Sequence, residues 1–302
     1  MPPPATRDRT EVPLRNAAGD AAVFSLHGAQ LLSWLPREAG EQLYLSPLSP
    51  PAAGKSARGG TPVCFPQFSD RGPLPKHGFV RTARWELVTP PVSGAEVAQA
   101  RFQVDSAGSG AAWEHAFCLV LVARLGPGWL ELQLQAANTG RDAYDFTAAL
   151  HTYLAVDVRA ARLHGLQGCD YEDNLAARQV RREASSALTV AGEVDRVYLQ
   201  APPVLRLENG IEHSRVIQQG FTDTVVWNPG PAKAAQLGDM PPPDWERMLC
   251  IEAAVIGAPV HLAPGKTWHG LQRLEVPGHP AFDAAQATPV AGVQAERSRP
   301  RR

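Results

Sequence analysis

Residues 129–138 read WLELQLQAAN, and this stretch decides the fold class. Leu130, Leu132 and Leu134 point one way, and Glu131, Gln133 and Gln135 the other. Alternation with a period of two describes a β-strand with one buried face and one wet face. The preceding segment, HAFCLVLVARL at 115–125, is apolar almost throughout and contains β-branched residues. That pattern suits a strand covered on both faces.

Working outward, strand signals dominate the chain. Further candidates lie at 21–28, 29–36, 41–47, 83–90, 97–105, 144–158, 161–168, 204–210, 214–220, 223–230, 248–256 and 269–276. They are short, and Gly, Pro, Asn or Asp commonly separates them. One brief helix is expected after Pro229, in PGPAKAAQLGDM. The 28 prolines and 26 glycines fit many turns rather than long helices. No repeat of 20 to 50 residues is visible, which speaks against a propeller or solenoid. Residues 11–276 are read as one all-β domain, and the aperiodic ends, 1–10 and 277–302, as disordered tails.

Composition narrows the function classes. Of the 302 residues 44% are hydrophobic, ample for a large core. Twenty-nine basic residues against 30 acidic ones leave a net charge of −1, so no global field draws in nucleic acid or a membrane. The N-terminus lacks the apolar core of a secretory signal, and the longest apolar run, AFCLVLVA, is too short to span a bilayer. Cys64, Cys118, Cys169 and Cys250 form no CxxC pair and read as buried thiols, not disulfides or zinc ligands. A soluble cytoplasmic protein is expected.

Three places carry chemistry. In DFTAALHTYLAVDV, 145–158, the even positions are nearly all apolar and the odd ones mixed, so His151 and Tyr153 share the polar side mid-strand. His151 either lines a ligand groove or bonds a backbone carbonyl near the surface. Glu252 is the only acid within MLCIEAAVI. It sits at a strand end, in a core salt bridge, or in a cleft where burial raises its pKa toward the range of a general base. The irregular segment RGGTPVCFPQFSDRGPLPKHGFVR, 58–81, carries Arg58, Lys76, His77 and Arg81. Arg forks match phosphate oxygens and Lys adds a point charge, while solvated surface cations are the bland alternative. HxH, HExxH, GxSxG and the glycine-rich phosphate loops are absent, so metal, hydrolase-nucleophile and nucleotide chemistry find little support.

Six motifs stand in order: RGGTPVCFPQF, LPKHGFVRTARWEL, LHTYLAV, GEVDRVY, DTVVWNP and MLCIEAA. Together they resemble the glucose-6-phosphate 1-epimerases, the hexose-6-phosphate mutarotase branch of the aldose 1-epimerase superfamily, from about residue 10 to about 275. The resemblance implies a large antiparallel β-sandwich, the galactose-mutarotase-like supersandwich, with few short helices. It implies His151 as general acid and Glu252 as general base. Arg58, Arg81 and Asp195 match substrate-binding residues, with His77 a secondary candidate. Position 76 departs from the family's usual Gln: Lys76 can donate to a hydroxyl or phosphate but loses the amide's acceptor. Without the resemblance Asp195 reads as a turn residue capping backbone amides, and Trp227 as core.

The expected activity is interconversion of the α and β anomers of glucose 6-phosphate and related hexose 6-phosphates, without cofactor or metal, by a monomer whose partner is the sugar phosphate. The alternatives are a mutarotase of unphosphorylated aldoses and a non-catalytic sugar-phosphate-binding protein on the same fold. A glycosidase needs paired carboxylates, and Glu252 has no obvious acidic partner at a comparable strand position.

Overall fold

The structure, a computed structural model, describes residues 10–276 apart from 111, 112 and 211. The tails expected to be disordered lie outside the described residues, Thr10 excepted. In chain order the strands are β1 Glu11–Arg15, β2 Ala21–Ser25, β3 Leu31–Leu35, β4 Val63–Cys64, β5 Glu86–Leu87, β6 Ala98–Asp105 and β7 Phe117–Gly126. Next come β8 Trp129–Asn138, β9 Tyr144–Leu150, β10 Tyr153–Ala155, β11 Ala161–His164, β12 Asp170–Asp173, β13 Gln179–Arg182 and β14 Ala187–Leu188. The series ends with β15 Val194–Tyr198, β16 Val204–Asn209, β17 Glu212–Gln219, β18 Asp223–Asn228, β19 Met248–Leu262 and β20 Thr267–Glu275. The expected helix is present as α1, Gly230–Ala234. Two 3-10 turns, Asn174–Ala176 and Pro242–Arg247, complete the elements. No helix among the described residues is long and apolar enough to cross a membrane.

Two large sheets form the body. One runs β14-β11-β16-β17-β20-β8-β7-β6-β5, the other β13-β12-β15-β18-β19-β9-β4 with β10 also paired to β19; β1-β2-β3 form a third. Neighbouring strands pair antiparallel, as in β7–β8, β8–β20 and β18–β19. The opening stretch behaves as its alternation demands: Leu130, Leu132 and Leu134 are buried in the main core and Glu131, Gln133 and Gln135 stay half-exposed.

The same parity organises the second sheet. On β19 the odd residues Leu249, Ile251, Ala253 and Val255 join the main core between the sheets. The even residues Cys250, Ala254 and Ile256 belong to two smaller apolar clusters on the opposite face. Loop residues cover that outer face: Phe68 in the cluster that also holds Cys64 of β4, and Tyr44 and Met240 in the other. Being covered on both sides, β19 needs apolar residues at consecutive positions, which accounts for MLCIEAAVI.

Some expectations fail. EQLYLSP forms only isolated bridges, at Leu43 and Leu45. The 144–158 candidate is two strands, β9 and β10, broken at His151 and Thr152. The short, polar β12, β13 and β15 carry no apolar run and were not anticipated. All four cysteines are free, but Cys118 and Cys169 are only partly buried.

Candidate active site

The outer face of the second sheet is the floor of the site. β9 pairs with β19 as far as Leu150 opposite Ala253, and β10 resumes with Tyr153 opposite Cys250. The register does not shift across the gap, so His151 stands opposite Glu252. His151 is thus not mid-strand as expected: its N–H donates to the Pro62 carbonyl at 2.9 Å. The break turns a paired strand residue into one held from the loop side. On β18, Val225 is the partner of Glu252 and Trp227 that of Cys250; on β15, Asp195 is the partner of Trp227. Two rows of side chains result, His151–Glu252–Val225 and Tyr153–Cys250–Trp227–Asp195.

Segment 58–81 makes one wall. Its only regular element is β4; the rest is turns that glycine permits. Gly60 has φ +59° and Gly78 φ +74°, and a Cβ at either would strike a backbone carbonyl, of Leu31 and Phe65 respectively. These close approaches fix where Arg58 and His77 emerge. His77 is itself left-handed, φ +66°, uncommon outside glycine. The other wall comes from α1 and the turn after it, through Lys233 and Leu237, with Asn174 at one end.

A cavity of about 320 Å³ lies between these walls, within the range of small-molecule sites. Arg58, Lys76, His77, Arg81, His151, Asp195 and Glu252 all line it, so every residue singled out in the sequence comes to one place. His151 Nδ1 is 3.3 Å from Glu252 Oε1, with the two side chains 9% and 1% exposed. The contact lies off hydrogen-bond geometry: neither carboxylate oxygen, nor His151 Nδ1, has a hydrogen-bond partner among the described residues. The Tyr153 ring stacks on His151 at 4.8 Å and 10°, and His77 meets its edge at 5.3 Å.

Burial sets the electrostatics. It pushes the Glu252 carboxyl well above the usual range; nearby Asp195 adds to this and Arg81 opposes it. It pushes His151 well below the usual imidazole range, helped by His77, Arg81 and Arg58. His77 is pushed down to about 3 by burial, then by Arg81, Lys76 and Arg58. The Ser69 N–H donates to His77 Nδ1 at 3.3 Å, which leaves the proton of the neutral ring on Nε2. The two members of the His151–Glu252 pair both favour their neutral forms, with one transferable proton between them.

The cations differ in their commitments. Arg58 Nε lies 3.1 Å from both Asp239 oxygens, Nη2 is 2.9 Å from Oδ2, and Nη1 donates to Tyr153 Oη at 3.2 Å. Lys233 pairs with Glu193 at 2.7 Å. Arg81 and Lys76 have no carboxylate partner among the described residues.

Two expectations about the site need correction. Asp195 is not in a turn: it sits within β15 and takes a 2.6 Å hydrogen bond from Asn174 Nδ2. Asp195 also shares the cavity with Glu252, so Glu252 does have an acidic neighbour. Trp227 is not wholly core: it lines the cavity, 6.0 Å edge-on to Tyr153. Sequence reasoning missed Asn174, Lys233 and Asp239. Asp239 and Arg58 are 181 positions apart, and no local pattern announces such a pair.

The sequence profile of the aldose 1-epimerase family matches residues 10–275. The chain belongs to the aldose 1-epimerase family. A Cenchrus ciliaris protein provisionally named a glucose-6-phosphate 1-epimerase is 36% identical over 86% of this chain and 82% of its own. An Escherichia coli protein with the same provisional name is 32% identical over 84% and 86%. The crystal structure of a Salmonella typhimurium protein, provisionally named a mutarotase, superposes with a TM-score of 0.81 at 28% identity, covering 88% of this chain and 90% of the other. The aldose 1-epimerase is therefore an isomerase with a sugar substrate, on the all-β sandwich fold its sequence implied.

Proposed function

We propose that this aldose 1-epimerase interconverts the α and β anomers of glucose 6-phosphate and related hexose 6-phosphates. One observation carries the reading: a buried His151–Glu252 pair on the floor of a cavity that also presents Arg81 and Lys76, cations with no carboxylate partner among the described residues. A neutral sugar can use them as donors but has no need of their net positive charge. A phosphate group needs it.

The hemiacetal must open, turn about C1–C2, and close on the other face. Glu252 takes the proton of the C1 hydroxyl and His151 gives one to the ring oxygen; closing reverses both transfers. The two sugar oxygens share one carbon, so groups 3.3 Å apart on the same floor can serve one each.

Burial favours the neutral pair, with the proton on Glu252. The working pair, carboxylate and imidazolium, holds the same number of protons and needs the two side chains to turn into line and pass one proton from Oε1 to Nδ1. A phosphate dianion at Arg81 and Lys76 offsets the positive charge that helps hold His151 low. The handle that binds the substrate thereby favours the working form. Arg58, tied to Asp239 and Tyr153, holds the wall, and His77 Nε2 donates to a substrate oxygen. The four free cysteines suit a reducing compartment such as the cytoplasm.

Two-dimensional exchange NMR on glucose 6-phosphate, its mannose and galactose analogues, and glucose tests the proposal. Exchange cross-peaks should grow with enzyme for the phosphates far more than for glucose. Equal rates on glucose would favour a mutarotase of neutral aldoses, and no acceleration at all would favour a binding protein.

A further inference from the structure

We propose that His151, Cys250 and Glu252 form a zinc-binding site at which the ion blocks the enzyme. One ligand atom from each residue lies within 4.8 Å of the others, and all three residues are buried. The arrangement follows from the ladder. Cys250 and Glu252 are two positions apart on β19, so their side chains share a face, and His151 stands opposite Glu252 in the register. Local spacing hides the site because the histidine comes from the break between β9 and β10, far away along the chain.

Thiolate, imidazole and carboxylate are a zinc donor set, and a hard cation such as Mg²⁺ prefers oxygen ligands. The donors are also uncommitted. His151 Nδ1 and both Glu252 oxygens have no hydrogen-bond partner among the described residues, and Cys250 is a free thiol. Zinc bonds to N and O are about 2.0 Å and to S about 2.3 Å, so the Cys250 sulfur must draw in, whereas Nδ1 and Oε1 already stand 3.3 Å apart. Three protein ligands leave a fourth position facing the cavity. On binding, the Cys250 thiol proton and the Glu252 carboxyl proton both pass to solvent, and the sulfur, carboxylate and Nδ1 lone pairs go to the ion.

Binding needs only these donors. Inhibition also rests on the reading of His151 and Glu252 as the proton-transfer pair, because the ion would occupy the lone pairs both must use. The two parts are tested separately. The purified full chain is titrated with zinc chloride by calorimetry, and with Co²⁺ while the thiolate-to-cobalt absorption band is followed. One ion per chain and a clear band are expected in the wild type and in Cys64→Ala, the control for the thiol 3.4 Å from His77. Cys250→Ala should lose the band and roughly 10–100-fold in zinc affinity. Should Cys250→Ala not fold, Glu252→Gln must show the same weakening of zinc. Wild-type turnover on glucose 6-phosphate should fall with zinc, recover with chelator and ignore Mg²⁺, while the turnover that Cys250→Ala retains should resist zinc. Failure to bind zinc, a band that disappears in Cys64→Ala, or zinc affinity unchanged in the Cys250 or Glu252 variant would overturn the site. Zinc bound without loss of turnover would overturn the inhibition. If glucose 6-phosphate is not turned over at all, calorimetry and cobalt still decide the site.

Discussion

Glu252 Oε1 lies 3.3 Å from His151 Nδ1 across the gap between β9 and β10 beside β19, and both side chains are almost wholly buried. Glu252→Gln preserves shape but cannot accept the C1 hydroxyl proton. We expect kcat to fall by roughly 10²–10⁴-fold with KM for glucose 6-phosphate little changed, as read by exchange NMR. Near-normal turnover would remove Glu252 from the chemistry.

Arg81 has no carboxylate partner among the described residues to compete with an anion. Arg81→Ala should raise KM for glucose 6-phosphate by roughly ten- to hundredfold, the weight of one to two charge-assisted hydrogen bonds. The rate on glucose, which brings no phosphate to that rim, should not fall. An equal loss on both sugars would mean that Arg81 acts on the acid–base pair alone.

The charge near His151 can be probed with the substrate in two pieces. Phosphite dianion added with glucose should occupy the Arg81–Lys76 rim, relieve His151 and raise turnover several-fold in the wild type. The effect should vanish in Arg81→Ala. If phosphite merely inhibits or does nothing, the phosphate is a grip and not an activator.

His77 gives a stability signature. Its pKa falls from about 6.5 in the unfolded chain to about 3 in the fold. The unfolded state therefore binds the proton first, and stability is lost as pH drops below about 6.5 towards the folded value. At pH 5 the loss from this group is about 2 kcal/mol. His77→Asn, which tolerates the left-handed backbone, should shrink the fall in urea-unfolding free energy between pH 7.5 and 5 by about that amount. Glu252 has the opposite sign: its raised pKa gives stability that fades as pH rises through the folded value, so Glu252→Gln should flatten that limb.

The sequence carried the floor of the site better than its walls. Parity along 145–158 put His151 on the face away from the main core, because strand geometry alternates regardless of context, while the lone acid of MLCIEAAVI marked Glu252 without fixing its face. The break at His151 was invisible, since Thr152 and Tyr153 continue a plausible strand while the Pro62 carbonyl replaces the missing ladder bond. Asp195 looked like a turn because VDRVY has two charges in five residues. Only the assembled sheet shows that these charged positions face a cavity and a partly open flank. The fork between Arg58 and Asp239 joins distant loops, and Trp227 is half floor and half core, a distinction set by what loops leave uncovered.

The unshifted register across the β9–β10 gap also constrains how this catalyst can change. A single inserted residue in either strand would throw one partner to the far side of the sheet, so the placement of the reactive duo survives substitutions around it but not indels. The flanks, spun from irregular backbone at 58–81 and 230–240, carry no such restriction. Exchanging those flanks between relatives while leaving the ladder untouched is therefore the economical route to new sugar preferences.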